Sequence, residues 1–254
     1  MKIRVSDVLE LHVDEHGDAA ERALLIHGWM TTGGVFAPIL DQLSDVATVF
    51  VPDLRGAGRS DAPGSYRLED YAQDVIAILE HIGGASLVGF SMGGAIAQLV
   101  AAERPDLVTK MILLNSVPAR GMQLPEEAQA LFASSAGDRA LQRTILSMAT
   151  LKLDADACEQ LLDLAAAVDD TATKESLDAW TRGGFEERLT EVRAPTHVIA
   201  TSDPFLPPAF VQDAVVDQIQ GAQLHVIEGP GHYPMWEASE KTGRLVARLL
   251  QDGA

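Results

Sequence analysis

The sequence has a single cysteine, Cys158, and no apolar run long enough to cross a membrane. A lone cysteine excludes a disulfide within the chain and fits a reducing compartment. It lies in an apolar pattern of helical spacing, which predicts a packed thiol rather than a reactive one. The first 15 residues also lack the continuous apolar segment of a secretory signal peptide. We therefore expect a cytoplasmic protein.

Positive charge is also scarce. The chain has 19 Lys and Arg residues against 37 Asp and Glu, which gives a formal net charge of −18. Such a surface repels phosphate backbones and anionic lipid headgroups, so nucleic acids and membranes are disfavoured as partners. We interpret the excess of carboxylates as a contribution to solubility, not as a binding site for a cation.

What is present is the composition and length of an ordinary folded domain. The 254 residues are 47% hydrophobic and 22% charged, which is enough for one large α/β domain with an inserted subdomain. Apolar strand patterns alternate with helical patterns along most of the chain, which predicts a mostly parallel, doubly wound sheet. In such a sheet, ligands bind outside the carboxyl ends of the strands.

The predicted elements follow the hydrophobic periodicity. An antiparallel pair at the edge of the sheet is expected at 2–5 and 9–13. The other predicted strands are 23–26, 47–51, 85–90, 107–114, 196–200 and 223–227. Helices are expected at 35–43, 68–82, 207–219 and 237–251, and a further helix follows Ser91.

The segment between the strands at 107–114 and 196–200 shows no strand pattern. Its apolar residues instead predict four short helices, because a structureless loop of about eighty residues is uncommon in a compact domain. We therefore predict a helical cap at 117–189, inserted in a core domain formed by 1–116 and 190–254.

The stretch GFSMGG at 89–94 joins a predicted strand to a predicted helix through a sharp turn. Glycines on both sides let the strand and the helix approach closely, and the turn places the Ser91 hydroxyl at its tip. A serine hydroxyl is a weak nucleophile at neutral pH, so it needs a base, and the base needs an orienting group. Ser91 is therefore predicted to be a nucleophile if such partners exist.

Two later strand ends supply these partners. Of the seven histidines, His232 follows a predicted strand and lies in a glycine-rich loop that can reach the carboxyl edge of the sheet. Asp203 follows the strand at 196–200, whereas the strand before it ends in Asn115 and Ser116, which offer no carboxylate. The order Ser91, Asp203, His232 is the one found on a sheet with this kind of nucleophile turn.

Two backbone amides are predicted to form an oxyanion hole. The tetrahedral intermediate of acyl transfer carries a negative oxygen, which preorganised N–H groups stabilise. The Met92 amide follows Ser91 at a helix N-terminus, where the helix dipole also favours negative charge. The turn HGWM after the strand at 23–26 supplies a second amide, that of Trp29. The Trp29 ring is then left to line the site.

The chain resembles the α/β-hydrolase family over nearly its full length. The resemblance rests on five motifs that occur in order, LLIHGW, PDLRGAGRSD, GFSMGG, DPFLP and GHYPMWE. It implies a Ser-His-Asp hydrolase that uses no cofactor or metal and has a helical cap over its pocket. His27 is similar to the family's structural histidine behind the oxyanion turn, so we assign it no catalytic role.

Within the family, the short HGW turn is similar to that of esterases, enol-lactonases, cofactor-free haloperoxidases and carbon–carbon bond hydrolases. Serine at the turn sets aside epoxide hydrolases and dehalogenases, which carry aspartate there. We therefore expect a monomer or homodimer that hydrolyses a carboxylic ester or lactone of a small, mainly apolar substrate. The expected pocket residues are Trp29, Leu131, Phe132, Leu146, Leu161, Trp180 and Trp236.

Two other functions remain open. Trp236 follows His232 by four residues, as in some carbon–carbon bond hydrolases, which favours cleavage of a ring-cleavage product by the same residues. Against this function, the turn lacks the Gly-Pro-Gly extension of those enzymes, and Arg120 and Arg182 are weak choices for holding a substrate carboxylate. A ligand receptor without catalysis is the third hypothesis, because a fold does not determine function.

Overall fold

The computed structural model describes residues 1–252, and its eight strands form one sheet. In chain order the strands are β1 (Lys2–Ser6), β2 (Leu9–His16), β3 (Arg22–Ile26), β4 (Thr48–Pro52), β5 (Ala85–Phe90), β6 (Val108–Leu114), β7 (Thr196–Thr201) and β8 (Gln223–Ile227). Across the sheet their order is β1-β2-β4-β3-β5-β6-β7-β8. The two pairs that involve β2 are antiparallel, and every pair from β4 to β8 is parallel. The predicted antiparallel edge and mostly parallel, doubly wound sheet are confirmed.

Helices connect the parallel strands. In chain order they are α1 (Leu40–Ser44), α2 (Leu68–Ile82), α3 (Met92–Glu103), α4 (Glu126–Ser134), α5 (Arg139–Ala149), α6 (Ala155–Ala166), α7 (Asp170–Arg182), α8 (Pro208–Ala214), α9 (Pro234–Glu237) and α10 (Ser239–Gln251). Shorter 3₁₀ helices span Gly33–Ile39, Glu186–Glu191 and Val216–Gln218. Within residues 1–252, no helix combines the length and the apolar character that a membrane span needs.

The central strands are apolar on both faces. Every residue of β4 and of β5 is buried, because helices cover both sides of the sheet. β3 lies between them, so the chain moves to one side of β3 to form β4 and returns to its other side to form β5. This reversal between β3 and β5 is the topological switch point, where the loops that follow the two strands open a crevice.

Three helical regions depart from the predicted bounds. The segment expected as a helix at 35–43 forms a 3₁₀ helix and then α1, since Pro38 has no amide hydrogen to donate. The helix expected at 207–219 ends at Ala214. The closing helix begins at Ser239, because Ala238 has an extended φ of −152° and separates it from α9. The helix expected at 68–82 has the predicted bounds, and Gly83 ends it with a left-handed φ of 81°.

The segment between β6 and β7 contains the four predicted helices, α4 to α7. Three of them begin at an aspartate whose carboxylate accepts hydrogen bonds from amides of the first turn. These N-cap residues are Asp138 for α5, Asp154 for α6 and Asp169 for α7. The local sequence therefore determines where these three helices start, and 117–189 stays the predicted extent of the cap.

Candidate active site

Ser91 lies at the tip of the turn between β5 and α3. Its backbone has φ 54° and ψ −118°, a conformation that L-residues rarely adopt. The turn closes only because residue 93 is glycine, since a Cβ atom there would clash with the carbonyl oxygen of Ile26 at the end of β3. The Ser91 amide donates to the Leu114 carbonyl oxygen at 3.0 Å, which ties the turn to the end of β6. Such strain is characteristic of functional sites, where the surrounding structure holds it.

A chain of two hydrogen bonds links Ser91, His232 and Asp203. The distance from His232 Nε2 to Ser91 Oγ is 3.1 Å, and the distance from His232 Nδ1 to Asp203 Oδ2 is 2.6 Å. Asp203 is buried and its other oxygen accepts from the Phe205 amide at 2.8 Å. Because a carboxylate only accepts, Nδ1 carries the proton and the Nε2 lone pair faces the serine hydroxyl. The three residues follow β5, β7 and β8, all at the same edge of the sheet.

Asn115 is a further buried residue at this edge. Its side-chain amide donates to Thr201 Oγ1 at 2.9 Å, to the Gly231 carbonyl oxygen at 3.3 Å and to the His232 carbonyl oxygen at 3.0 Å. No site role was predicted for Asn115, because it has no carboxylate. The available signal was its position directly after β6, at the edge where polar residues of parallel strands gather.

The Met92 amide directly follows Ser91, and the Trp29 amide belongs to the turn after β3. Within residues 1–252 neither of them donates a hydrogen bond to another group. Met92 is the first residue of α3, so its N–H has no partner inside the helix. Gly28 brings the other turn close, since a Cβ atom on it would lie 3.1 Å from Ser91 Cβ. Two turns that each carry a backbone donor without a partner among the described residues therefore approach each other at Ser91.

His27 supports the turn that carries Trp29. Its Nδ1 donates to the Gly28 carbonyl oxygen at 2.9 Å, and its Nε2 accepts from the Leu54 amide at 3.0 Å. Burial lowers the pKa of His27, which keeps the ring neutral and suits one donating and one accepting nitrogen. Both nitrogens are occupied by backbone groups, which agrees with the structural role that the resemblance implied.

A narrow cavity of about 50 Å³ opens beside Ser91 and His232. This volume holds on the order of four water molecules, or a short acyl chain. No Lys, Arg, Asp or Glu is among the described residues that line it. Besides Ser91 and His232, the lining residues are Trp29, Met30, Val117, Met122, Leu124, Phe132, Ile145, Ala149, Trp180, Phe205, Leu206 and Tyr233.

Aromatic rings from the core and from the segment between β6 and β7 form one wall of the cavity. Trp29 stacks on Phe132 with ring centroids 5.3 Å apart and planes 4° apart, and Trp180 lies 6.1 Å from Trp29. The Trp29 indole N–H donates to the Thr173 carbonyl oxygen of α7 at 2.8 Å. The predicted pocket residues Trp29, Phe132 and Trp180 therefore do line the cavity.

Leu146 and Trp236, also expected in the pocket, lie outside it. Leu146 is on α5, but Ile145 and Ala149 line the cavity instead, because residues four apart share a helix face and the next residue is turned about 100° away. Trp236 packs against the core cluster that contains Val35, and its indole N–H donates to the Val35 carbonyl oxygen at 2.8 Å. Leu131 and Leu161 do not line the cavity either.

Three lining residues that were not predicted lie within three positions of Asp203 or His232. Phe205 and Leu206 follow Asp203, and Tyr233 follows His232. Their apolar character next to the two polar residues was the signal that could have identified them. The remaining missed residues come from loops and from α5, where no local pattern marks the cavity.

The two arginines considered for a substrate carboxylate lie outside the cavity. Arg120 pairs with Asp213 at 3.3 Å, and Arg182 pairs with Asp178 one helical turn away at 2.9 Å. In residues 1–252 no group of three or more His, Cys, Asp or Glu side chains is placed to hold a metal ion.

Comparison with known proteins relates this geometry to a family. The family model described as alpha/beta hydrolase fold matches residues 24–239. The chain is 26% identical over 264 residues to 2-hydroxy-6-oxononadienedioate/2-hydroxy-6-oxononatrienedioate hydrolase of Burkholderia vietnamiensis, covering 96% of this chain and 91% of that protein. It is 30% identical over 241 residues to polyketide synthase ThaQ of Burkholderia thailandensis, but that match spans 85% of this chain and 11% of the synthase.

A solved structure gives the same fold. An esterase from Exiguobacterium antarcticum superposes with a TM-score of 0.92 at 22% identity, covering 99% of each chain. The family match extends from β3 to the start of α10 and so includes Ser91, Asp203 and His232. The chain therefore belongs to the family of hydrolases with the alpha/beta hydrolase fold.

Proposed function

We propose that this hydrolase cleaves a carboxylic ester or lactone of a small, mainly apolar substrate through an acyl-enzyme intermediate. The observation that carries the proposal is the hydrogen-bonded chain Ser91–His232–Asp203 at the end of an uncharged cavity. The proposed base lies within hydrogen-bond distance of both the proposed nucleophile and the orienting carboxylate, as nucleophilic catalysis by serine requires.

In the first half of the reaction, Ser91 Oγ attacks the substrate carbonyl carbon and its proton passes to His232 Nε2. The oxygen that becomes negative is bound by the Trp29 and Met92 amides, which have no partner of their own within the described residues. Asp203 stabilises the imidazolium through Nδ1. His232 then protonates the leaving alkoxide as its bond to the carbonyl carbon breaks, leaving an ester on Ser91.

In the second half, water replaces the alcohol. His232 Nε2 takes a proton from the water as its oxygen adds to the acyl carbon. The tetrahedral intermediate collapses, His232 returns the proton to Ser91 Oγ and the carboxylic acid leaves. A lactone follows the same steps, except that the alcohol and the acid are parts of one product.

The lining of the cavity supports an uncharged substrate. The relative from Burkholderia vietnamiensis is named for a dioate, a substrate with two carboxylates. A cavity without Lys or Arg among its described lining residues offers no cation to a second carboxylate, and burying an unpaired carboxylate is costly. This contrast favours an ester or lactone over a carbon–carbon bond hydrolase of acidic ring-cleavage products.

The test is an activity screen of aryl and alkyl esters, lactones and a chromophoric dienoate diketone, run with the wild type and Ser91→Ala. We expect hydrolysis of short acyl esters or lactones and a loss of at least about 10³-fold in Ser91→Ala. Ser147→Ala is the matched control, because Ser147 is exposed on α5 and contacts only the Thr144 carbonyl oxygen.

Two outcomes would contradict the proposal. Faster turnover of the dienoate diketone than of any ester would favour carbon–carbon bond cleavage. No turnover of any substrate, together with tight binding of one of them and a large rise in melting temperature, would favour a receptor.

A further inference from the structure

Glu237 lies at the end of α9, five residues after His232, and its carboxylate accepts four backbone hydrogen bonds. Oε2 accepts from the amides of Gly231 at 2.9 Å, Leu151 at 2.8 Å and Lys152 at 2.8 Å. Oε1 accepts from the Tyr233 amide at 3.3 Å. The Gly231 and Tyr233 amides are the two that flank His232, so one carboxylate holds the backbone on both sides of the base.

The other two donors belong to a different part of the chain. Leu151 and Lys152 lie in the turn between α5 and α6, about eighty residues before His232. The same turn meets the His232 loop directly, since the His232 amide donates to the Ala149 carbonyl oxygen at 2.8 Å. Glu237 therefore joins the His232 loop to the end of α5.

The end of α5 also forms part of the substrate cavity. Ala149, whose carbonyl oxygen holds the His232 amide, is one of the lining residues. The position of the cavity wall and the position of His232 therefore depend on the same set of contacts.

We propose that Glu237 is a positioning residue, which keeps His232 within hydrogen-bond distance of Ser91 and makes that distance depend on the docking of residues 149–152. Glu237 contacts neither the reacting atoms nor the cavity, so it acts through the His232 backbone. The inference rests on the proposed function insofar as His232 and Ser91 carry out the reaction.

The chemistry of the site requires a carboxylate and not merely a polar side chain of the same size. Four N–H groups converge on two oxygens, and an ionised carboxylate offers only acceptors. In Glu237→Gln one oxygen becomes an NH₂ group, which can only donate and faces N–H donors. Glu237→Asp keeps both acceptors but withdraws them by one methylene group.

The kinetic test compares Glu237→Gln and Glu237→Asp with the wild type on the best ester from the activity screen. We expect kcat to fall on the order of 10²-fold in Glu237→Gln, because a displacement of a catalytic group by about 1 Å lowers the rate by about that factor. KM should change less than about threefold, and Glu237→Asp should recover part of kcat. Glu240→Gln is the control, since Glu240 is exposed and pairs only with Arg244.

The coupling between loop and turn is tested by amide hydrogen exchange, which needs no activity. In Glu237→Gln, exchange should accelerate both in peptides covering 229–234 and in those covering 149–153, while Glu240→Gln leaves both unchanged. Faster exchange in only one of the two segments would overturn the coupling. An unchanged kcat with faster exchange in both would overturn the positioning role.

Failure of the proposed function gives a different result. If wild-type Ser91 does not react with a fluorophosphonate and no ester is cleaved, the proposed reaction is wrong whatever the exchange data show. If Glu237→Gln fails to fold, the same comparisons apply to Glu237→Asp, and wild-type kinetics in that variant would overturn the inference.

Discussion

The side-chain amide of Asn115 donates a 3.0 Å hydrogen bond to the carbonyl oxygen of His232. Asn115 directly follows β6, the strand between those that lead to Ser91 and Asp203, so His232 is held from the interior of the sheet. The same amide binds the Gly231 carbonyl oxygen, and Thr201 Oγ1 donates to that oxygen at 2.6 Å. The sheet therefore holds the carbonyl groups of the His232 loop.

Replacing Asn115 with Ala should lower both stability and activity. The substitution removes three hydrogen bonds, leaves buried carbonyl oxygens short of a donor and puts alanine at a left-handed φ of 40°. We expect the free energy of unfolding to fall by about 2 kcal/mol, measured by urea denaturation. We also expect kcat for the best ester to fall, since the His232 loop loses its inner support. Thr201→Val, which removes only the Thr201 hydroxyl, should give a smaller loss, and wild-type values for both variants would contradict this role of Asn115.

Replacing Asp203 with Asn should abolish most activity while the fold is retained. Asparagine can donate to His232 Nδ1, which favours the tautomer with the proton on Nε2, so the ring no longer accepts the Ser91 proton. We expect a loss of about 10⁴-fold in kcat, as for the equivalent substitution in a serine protease. The measurement is steady-state ester hydrolysis, with circular dichroism to monitor folding. Asp213→Asn, at an exposed residue paired with Arg120, is the control, and a loss of similar size there would show that the effect is not specific.

Replacing Trp180 with Ala should shift the preference towards longer acyl chains. Trp180 lines the cavity from α7, and its removal lengthens the space available to an acyl group. The ratio of kcat/KM for a hexanoate ester to that for an acetate ester should rise on the order of tenfold. An apolar pocket discriminates to this extent between substrates that differ by one or two methylene groups.

The control for this substitution is Leu177→Ala on the same helix. Leu177 is buried but does not line the cavity, so its truncation should lower stability without changing acyl-chain preference. Equal shifts of the ratio in both variants would mean that the preference reflects loosening of α7 and not the shape of the cavity.

The His197–His225 pair should make the fold sensitive to acid. His197 Nδ1 lies 3.2 Å from His225 Nε2 across β7 and β8. Burial lowers the pKa of both rings below the usual 6.5. The charges of His225 and Lys110 lower the pKa of His197 further, and the charge of Arg248 lowers the pKa of His225 further. The carboxylate of Asp252 opposes both shifts. The unfolded chain therefore binds more protons than the folded chain below pH 6.5.

It follows that this contribution to stability is complete above pH 6.5 and is lost as the pH falls below that value. Urea denaturation at pH 8 and at pH 5.5 measures the free energy of unfolding at each pH. Its decrease from pH 8 to pH 5.5 should be smaller for His225→Gln than for the wild type. His81→Gln is the control, because His81 lies in the last turn of α2, away from the pair. An equal decrease in His225→Gln and the wild type would refute the role of the pair.

Local sequence patterns are sufficient to predict the fold class and the polar residues that follow the central strands. Apolar runs bounded by Gly, Pro and Asp mark the parallel strands, and the carboxyl ends of parallel strands meet at one edge of the sheet. Ser91 and Asp203 come one and two residues after such strands, and His232 lies in the loop after β8, so the topology brings all three to this edge before any packing is known. The same holds for α2, whose amphipathic pattern and terminal Gly83 are local signals.

The folded structure was needed to show which residues between β6 and β7 line the cavity and which groups hold the His232 loop. Periodicity shows that α5 has an apolar side, but the angle at which α5 packs on the core selects Ile145 and Ala149 over Leu146. The Glu237 carboxylate binds the Leu151 amide, 86 residues away in the chain. The Asn115 side chain binds the His232 carbonyl oxygen, 117 residues away. Backbone N–H and C=O groups are the same in every residue type except proline, so no side-chain pattern in the sequence marks such partners, and the folded chain alone brings them together.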